Sequence, residues 1–555
     1  MAIQRYLPFL NWPRLTLKRF EREFLAGLTV GLMALPQSVA YAGLAGMPLV
    51  TGIYATLLPP LVASLFSATP RLAVGPTALT CLLVFGALSG LAEPGSAQWV
   101  VLAGWLALLS GVFQISLGFL RQGWLMDLVS APVLMAFTQA AALLIITSQL
   151  PALLTLGWGS GMAPVWHPPS AVLGLAAVGF ILACKKLRPS IPAVFLLLLV
   201  TAGAAWWWEW DTRGVALVGA LPGGFPPLGL PGRLSLQHFL ELVLPAMVIA
   251  LVSFMETAAS ARLDSVQSGE RWNRDQDLIG QGAAKLSAAL CGAFPTSTSF
   301  SRSALNLFAG AQSGWSNVFC AVVVAVLLAV GLPVLAWVPK AVLAAVVVAS
   351  VLGMFTLQPW KRLWQTSRRD LLVALTTLVV TYAAAPSMYW GICAGLVLSL
   401  LIFVRRRLTP RIVELGRHPD LSLRDRHIWK LPPLSETCLA VRPDCSLDYL
   451  IAPAFERRML AFCEGRDDLR SVFIFMQGVN LIDVTGLEVL TRLFDRLRRQ
   501  GLQIHIVGAK LEVEQSMQRV FSRWEEVRFH RTEQEALLAM EAMQADHEKS
   551  AGEKS

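Results

Sequence analysis

The chain has 555 residues, of which 55% are hydrophobic and only 15% are charged. Because soluble globular domains are roughly a quarter charged, this composition excludes a large soluble protein and indicates a polytopic membrane protein. The net charge of +10 would fit a nucleic-acid partner. The basic residues instead cluster at the ends of apolar segments, as membrane topology requires, so we expect no nucleic acid.

The eight cysteines show no metal-ligand spacing, and the chain carries no nucleophile–base pair and no phosphate-binding loop. We therefore expect buried reduced thiols, no metal, no cofactor and no enzymatic activity. We also expect no cleavable signal peptide, because the first apolar run begins near Phe24.

Composition divides the chain into five parts. Apolar runs with short connectors dominate the first 400 or so residues, and charge density rises near Thr409. The predicted parts are a cytoplasmic N-terminal segment (1–23), a transmembrane domain (24–404), a linker (405–425), a cytoplasmic α/β domain (426–545) and a disordered tail (546–555).

The transmembrane domain is predicted to contain about fourteen helical spans, several of them shorter than the ~20 residues of a full span. Their predicted centres lie at Val30, Leu58, Leu82, Leu106, Met135, Val178, Leu197, Ile249, Leu286, Ala304, Val324, Val346, Leu375 and Val397. Spans three and ten each follow a polar, Pro-bearing approach, 74–77 and 294–296. Interrupted segments at matching places in two halves predict seven-plus-seven inverted repeats, with the transport site where the two meet.

The basic residues predict the orientation. They precede span one and follow spans four, six, eight, twelve and fourteen, which all lie on one side for an even span count. The positive-inside rule makes that side cytoplasmic, so both termini are expected in the cytoplasm of a multi-pass inner-membrane protein. The connectors 151–170 and 206–237 are expected outside.

Span one carries Pro36, Gln37 and Tyr41 within an otherwise apolar run. Pro36 leaves the carbonyl four residues earlier without its helical donor. Gln37 and Tyr41 share one helical face, so they either line a polar cavity or hydrogen-bond to a neighbouring helix. Thr77 and Thr80, at the start of span three, are weaker candidates because threonine is common in buried spans.

Glu256 lies six residues before Arg262, about 9 Å of helix rise inside the membrane. An intramembrane carboxylate is a functional-site hypothesis by default. It could accept a proton, coordinate sodium, or neutralise Arg302, and a purely structural salt bridge with Arg302 stays open as an alternative. Asp264, Glu270, Asp275 and Asp277, which follow it, are expected in a solvated loop.

Arg302 stands in a hydroxyl-rich stretch, residues 295–306, at the start of span ten. A charge at the centre of a span costs roughly 2.5–3.5 kcal/mol on insertion scales, so it is seldom idle. With Ser299, Ser301 and free backbone N–H groups it would bind an anion at the helix N-terminus. The alternatives are an arginine that reaches the membrane interface or one that holds two helices together.

The tail predicts a parallel βαβ unit, with strands at 472–476 and 502–507 and a helix at 486–500. Asp483 or Thr485 would cap that helix. Alternatively, Thr485 is a regulatory phosphoacceptor whose added charge would sit at the helix N-terminus.

With these motifs in hand, the chain resembles the SulP family of anion transporters, the kin of plant sulfate transporters, prestin and pendrin. Similarity covers roughly residues 20 to 545. The stretches that carry it are 34–46 in span one, 71–77 before span three, 299–306 in span ten, and 482–487 in the tail, which is similar to a STAS domain.

The resemblance implies a core domain (spans one to four and eight to eleven), a gate domain, an elevator-type motion and a homodimer. It also implies a substrate site of Gln37, Tyr41, Thr77, Ser301 and Arg302, with Glu256 as the coupling group in the pattern of proton symporters. Thr485 stands where relatives of the STAS fold have a phosphorylatable serine, but Val484 departs from the usual small polar residue.

Several functions remain open at this point. The leading expectation is an elevator-type secondary transporter of sulfate or a related oxyanion by proton symport, with the anion held between the N-termini of spans three and ten. Sodium-coupled bicarbonate transport, proton-coupled C4-dicarboxylate transport and anion exchange are alternatives. A membrane receptor with the STAS domain as its output and a nucleobase permease are alternatives of other classes. Expected partners are the anion, the coupling ion, the lipid bilayer, a second copy and a cytoplasmic protein that binds the tail.

Overall fold

The computed structural model describes residues 7–156, 165–187, 192–212, 214–222, 224–521 and 524–552. The chain divides into two compact units, Met1–Ser399 and Leu400–Ser555. Each unit is described by itself below.

The first half of the membrane unit is a run of helices with three two-residue strands between them. Its elements are α1 (Leu17–Leu44), α2 (Leu49–Tyr54), α3 (Leu58–Phe66), β1 (Val74–Gly75), α4 (Ala78–Leu88), α5 (Ala97–Phe119), α6 (Ala131–Leu154), β2 (Thr155–Leu156), β3 (Val165–Trp166), α7 (Pro168–Leu187) and α8 (Ala193–Trp207).

The second half repeats this pattern. Its elements are α9 (Leu236–Ser268), α10 (Arg274–Leu290), β4 (Ser297–Thr298), α11 (Phe300–Phe308), α12 (Trp315–Val330), α13 (Leu332–Ala336), α14 (Lys340–Val351), α15 (Gln358–Thr366), α16 (Arg368–Ala383) and α17 (Tyr389–Leu408). Each of the fourteen predicted span centres lies within one of these helices, so the described chain forms fourteen helical spans. Among the described residues, seven helical segments qualify as membrane spans when judged by length and composition alone.

Two of the spans are half-length helices, and local chemistry sets where each begins. Thr77 ends the extended approach to α4, and its side chain accepts a hydrogen bond from the Thr80 amide. Ser299 does the same for α11 by accepting from the Arg302 amide. Both are N-caps, which leave the remaining N–H groups of the first turn free.

The two half-helices begin side by side because the strands before them pair. Antiparallel β1 and β4 match Val74 with Thr298 and Gly75 with Ser297. The pairing extends further, since Ser299 N donates to Ala73 O at 2.9 Å and Ala73 N donates to the Ser303 hydroxyl at 2.9 Å. The starts of spans three and ten therefore meet, as the inverted-repeat hypothesis predicts.

The connectors predicted to lie outside are only partly described. Residues 157–164 of the first lie outside the described residues, and β2 pairs with β3 on either side of them. In the second, Val218 N donates to Val338 O at 2.9 Å, and the Trp105 indole donates to Gly232 O at 2.8 Å. This connector thus contacts the helices at both of these points, although most of its described residues are exposed.

The second unit is an α/β domain built on a six-stranded sheet of order β10-β9-β8-β7-β5-β6. Its elements are β5 (Ile412–Arg417), β6 (Leu423–Asp425), α18 (Arg426–Trp429), β7 (Cys438–Pro443), α19 (Ala452–Cys463), β8 (Ser471–Phe475), α20 (Val484–Arg499), β9 (Gln503–Val507), α21 (Leu511–Phe521), β10 (Val527–His530) and α22 (Glu533–Gly552). The predicted βαβ unit is confirmed, because β8 and β9 pair in parallel around α20. The predicted tail, residues 546–555, begins inside α22, and its last three residues lie outside the described ones.

Strand β8 is buried along its whole length because helices cover both faces of the sheet. Val472 and Ile474 pack in the same cluster as Phe494 of α20, whereas Phe473 and Phe475 pack with Met540 of α22. The alternation of a strand thus feeds two separate apolar layers.

Candidate functional site

Arg302 lies in the first turn of α11 and is only 1% exposed. Its Nη2 donates to the carbonyl oxygen of Pro76, just before α4, at 2.9 Å. Its Nη1 is buried without a hydrogen-bond partner among the described residues. A buried guanidinium with a free donor at the start of two half-helices is an arrangement suited to hold an anion.

Gly75 allows the guanidinium to lie against the β1 backbone. A Cβ atom at this position would stand 3.0 Å from Arg302 Nη2, and the backbone φ of +154° is one that side-chain-bearing residues rarely adopt. The Gly-Pro pair of the approach therefore has a specific function: it lets Arg302 reach across from the other repeat.

Glu256, on α9, is held by hydroxyl groups from both repeats. Its Oε2 accepts from Ser297 Oγ at 2.5 Å, from Thr77 Oγ1 at 3.0 Å and from Thr80 Oγ1 at 3.5 Å. Thr77 and Thr80 belong to the start of α4, and Ser297 belongs to β4 before α11. The carboxylate is thus placed at the junction of the two half-helices.

The direct salt bridge between Glu256 and Arg302, left open above, does not occur in the described structure. The guanidinium bonds to a backbone carbonyl and the carboxylate bonds to hydroxyls. Neither charge is consumed by the other, which leaves the guanidinium free for an external anion.

The other predicted substrate residues lie in two different environments. Tyr41 and Gln37 are both buried, and Tyr41 donates to the Ser350 hydroxyl of α14 at 3.0 Å. Ser301 is exposed and its hydroxyl lies 3.4 Å from that of Ser299. Tyr41 therefore makes a helix–helix hydrogen bond, and Ser299 caps α11 through the Arg302 amide.

Lys285 of α10 is a buried cation that does not belong to the site predicted from the sequence. It is 0% exposed, and its Nζ donates to Gln114 Oε1 of α5 at 2.9 Å. The signal was available, since a lone lysine inside an apolar run deserves the same attention as Arg302.

The expectation of a solvated loop is wrong for three of the four acidic residues after Glu256. Asp275, in the first turn of α10, is half-buried and accepts from Gly123 N at 3.0 Å. Asp264, at the end of α9, is 5% exposed and pairs with Arg71 at 2.8 Å. Asp277, in the first turn of α10, is fully buried and accepts from the Thr69 hydroxyl at 2.6 Å and the Trp272 indole at 2.7 Å. All three carboxylates join segments distant in sequence, which no local pattern reveals.

In the α/β unit, Asp483 is the N-cap of α20. Its Oδ1 accepts from Gly486 N at 2.7 Å, and its Oδ2 accepts from Tyr449 N at 2.8 Å. Thr485 is exposed in the first turn of the same helix. The capping interpretation thus applies to Asp483, and a regulatory function of either residue remains a proposal.

Fourteen spans with paired half-helices, followed by an α/β domain, define a class: polytopic membrane transporters of inverted-repeat architecture. Comparison with protein families gives the particular member of that class. Residues 20–377 match the sulfate permease family, and residues 433–536 match the STAS domain. The chain belongs to the sulfate permease family and is an anion transporter.

Relatives span the chain at modest identity. A probable sulfate transporter of Mycobacterium tuberculosis (strain CDC 1551 / Oshkosh) is 28% identical over 509 residues, which cover 89% of this chain and 90% of the relative. Probable sulfate transporter 4.2 of Arabidopsis thaliana is 29% identical over 524 residues, covering 89% of this chain and 77% of the relative.

Solved structures show the same fold. The murine Solute Carrier 26 family member A9 anion transporter, in its inward-facing state, superposes with a TM-score of 0.87 at 20% identity, covering 98% of this chain and 95% of the other. The transmembrane domain of the cyanobacterium bicarbonate transporter BicA superposes with a TM-score of 0.58 at 19% identity, covering 70% of this chain and 99% of the other.

Proposed function

We propose that this protein moves sulfate into the cell together with protons, with Glu256 as the group that carries the coupling proton. Arg302 and the free N–H groups at the starts of α4 and α11 bind the anion. The names of the Mycobacterium and Arabidopsis relatives, both probable sulfate transporters, support the choice of substrate. Gln37, Tyr41, Thr77, Ser299 and Ser301 complete the proposed surroundings of the anion.

One observation carries the proposal: the hydroxyl groups that bind the Glu256 carboxylate belong to the segments that start the two half-helices, where the anion would be held. A dianion that approaches Arg302 at this junction would be repelled by an ionised Glu256. Protonation removes that repulsion, so binding of the anion and binding of a proton favour each other.

The hydrogen bond donated by the Ser297 hydroxyl can change with the protonation state of Glu256. It lies 2.5 Å from Glu256 Oε2 and 3.2 Å from the carbonyl oxygen of Ser253, but it has one hydrogen to donate. With Glu256 ionised, that hydrogen serves the carboxylate. With Glu256 protonated, Ser297 can accept from the acid and donate to Ser253 O instead.

The geometry also supports an elevator-type motion. β1 pairs with β4, Arg302 bonds to the carbonyl of Pro76, and Thr77 bonds to Glu256 of α9. These contacts join both half-helices and α9 into one body, which would carry the site as a unit between the two sides of the membrane.

We place the protein in the inner membrane with both termini in the cytoplasm, on the positive-inside pattern of its basic residues. Assembly as a homodimer, contact with the lipid bilayer and a cytoplasmic protein partner for the STAS domain are further parts of this proposal. Phosphorylation of Thr485 would add charge at the exposed N-terminus of α20, where the helix dipole favours it.

Sulfate uptake by purified protein in liposomes tests the proposal. We expect an inward proton gradient to accelerate uptake in the wild type and to have no effect in Glu256→Gln. Glu241→Gln, at an exposed carboxylate of the same helix, is the matched control and should behave as the wild type. No sulfate uptake under either condition would overturn the substrate assignment, and bicarbonate with sodium and then C4-dicarboxylates would be tested on the same preparation.

A further inference from the structure

Lys285 is a cation buried in the membrane unit, and no carboxylate lies within ion-pair distance of it among the described residues. Among the described residues, its Nζ has one hydrogen-bond acceptor, Gln114 Oε1, at 2.9 Å. Asp277, on the same helix, is eight residues away, about 12 Å of helix rise, and already accepts hydrogen bonds from Thr69 and Trp272. The ionised Glu256 carboxylate interacts with Lys285 electrostatically but not through a direct ion pair. Burial of a charge with so few partners is costly, and ionisable residues inside a membrane commonly mark functional sites.

The orientation of the Gln114 amide fits an ammonium group. Gln114 Nε2 lies 2.7 Å from the carbonyl oxygen of Ala250, which can only accept, so the NH₂ group must face that carbonyl. The carbonyl end of the amide then faces Lys285. The negative end of the amide dipole is thereby directed at the amine.

Ser253 contacts the surroundings of both Lys285 and Glu256, through two different atoms. Gln114 Nε2 also donates to Ser253 Oγ at 3.1 Å, and the backbone carbonyl of Ser253 lies 3.2 Å from the Ser297 hydroxyl that contacts Glu256. Gln114 and Ser253 are fully buried. The groups between the lysine and the proposed coupling carboxylate are therefore shielded from water.

Lys285 is not needed to hold α5 and α10 together. The helices already touch through their backbones, since a Cβ atom at Gly111 would lie 2.8 Å from Gly282 O. A neutral residue at position 285 would preserve this close approach. Packing therefore does not explain why the position carries a charge.

We propose that Lys285 is a specificity-determining residue: it supplies the second positive charge that lets the site accept a dianion rather than a monoanion. The inference rests on the proposed function and names the class of its substrate. With Glu256 protonated, Arg302 and Lys285 together balance the two negative charges of a dianionic oxyanion. Without Lys285, Arg302 alone balances a monoanion. Lys285 acts on the anion through its electric field rather than by contact, so it is a positioning residue.

The test compares uptake of labelled sulfate with uptake of labelled nitrate in proteoliposomes. For Lys285→Gln we expect the ratio of sulfate to nitrate uptake to fall by about tenfold or more, since one unit charge no longer favours the dianion. Lys285→Arg should restore the wild-type ratio, which a merely structural role of the lysine would not explain. Lys340→Gln, at an exposed lysine at the start of α14, is the matched control and should leave the ratio unchanged.

A second arm needs no variant and applies even if Lys285→Gln fails to fold. In the wild type, the dianions selenate and thiosulfate should inhibit sulfate uptake at much lower concentration than the monoanions nitrate and perchlorate. Equal inhibition by both classes, or an unchanged uptake ratio in folded Lys285→Gln, would overturn the assignment while the transport function stands. A wild type that takes up no anion would instead overturn the proposed function itself.

Discussion

Arg302 and Glu256 bind to two consecutive residues of the chain without binding to each other. The guanidinium donates to the carbonyl of Pro76 at 2.9 Å, and the next residue, Thr77, donates to the carboxylate at 3.0 Å. A shift of this short segment would therefore be felt by both groups. Binding of the anion at Arg302 and binding of the proton at Glu256 can therefore be coupled through these two adjacent residues.

Arg302 should be sensitive even to lysine. An ammonium cannot both hold the Pro76 carbonyl and present a second donor as the guanidinium does. We expect Arg302→Lys to raise the sulfate concentration for half-maximal uptake by about tenfold to a hundredfold, the loss of one charge-assisted hydrogen bond. Concentration dependence of uptake measures this, and Arg262→Lys is the control on α9. An unchanged half-maximal concentration would mean that Arg302 does not contact the anion.

Gly75→Ala tests the same contact without altering any polar side chain. The added methyl would lie 3.0 Å from Arg302 Nη2 and push the guanidinium away from Pro76. We expect weaker sulfate binding, by about tenfold, with proton coupling retained because Glu256 keeps its hydroxyl partners. Gly179→Ala, where an added Cβ meets nothing within 4 Å, is the matched control. Wild-type affinity in Gly75→Ala would show that the close approach is unimportant.

The sequence was a good guide where a local pattern determines structure. Apolar runs located all fourteen spans, and the Pro-bearing approaches marked both half-helices. Partners distant in sequence could not be predicted. Asp277 was expected in solvent because it was assigned to the connector between spans eight and nine, yet Thr69, 208 residues earlier, supplies a hydroxyl and an amide donor to it.

The hydrogen-bond partners of Glu256 show the same limit within the candidate site. A salt bridge between Glu256 and Arg302 was a reasonable hypothesis because these are opposite charges in neighbouring spans. The structure gives each a neutral partner, since the β1–β4 pairing places hydroxyls and a carbonyl closer. Register between two short strands decides this outcome, and no periodicity in the sequence encodes it.

Asp277 should contribute to stability rather than to transport. Replacement by alanine would leave the Thr69 hydroxyl, the Thr69 amide and the Trp272 indole without their acceptor. We expect Asp277→Ala to lower stability by about 2 kcal/mol or more. The decrease in stability is measured by heating the detergent-purified protein and monitoring its unfolding by size-exclusion chromatography. Glu270→Gln, at an exposed position nearby, should leave the unfolding temperature unchanged.

The STAS domain should lose stability in mild acid because of His505. This residue is fully buried, stacked on Phe473 with ring centroids 4.1 Å apart, and its Nδ1 lies 2.8 Å from His530 Nε2. Burial, together with the positive charge of His530 and Arg528, lowers the pKa of His505 to about 3. As the pH falls below the ordinary histidine pKa near 6.5, His505 binds a proton in the unfolded chain but not in the native domain.

The free energy of unfolding therefore decreases as the pH is lowered, by about 2 kcal/mol between pH 7 and pH 5. Hydrogen exchange of the β9 amides in the full chain, corrected for the intrinsic rate, reports it. His505→Phe keeps the aromatic stacking and removes the titration, so protection in this variant should vary much less with pH. Equal pH dependence in both proteins would assign the acid sensitivity to other groups.

The central claim is that Glu256 carries the proton that accompanies sulfate, and a pH-sensitive dye inside proteoliposomes tests it most directly. An inward sulfate gradient should acidify the lumen in the wild type, because each anion brings protons with it. In Glu256→Gln we expect exchange of internal for external labelled sulfate to continue while acidification disappears. Acidification in Glu256→Gln at the wild-type rate would contradict the account, because another group would then carry the proton.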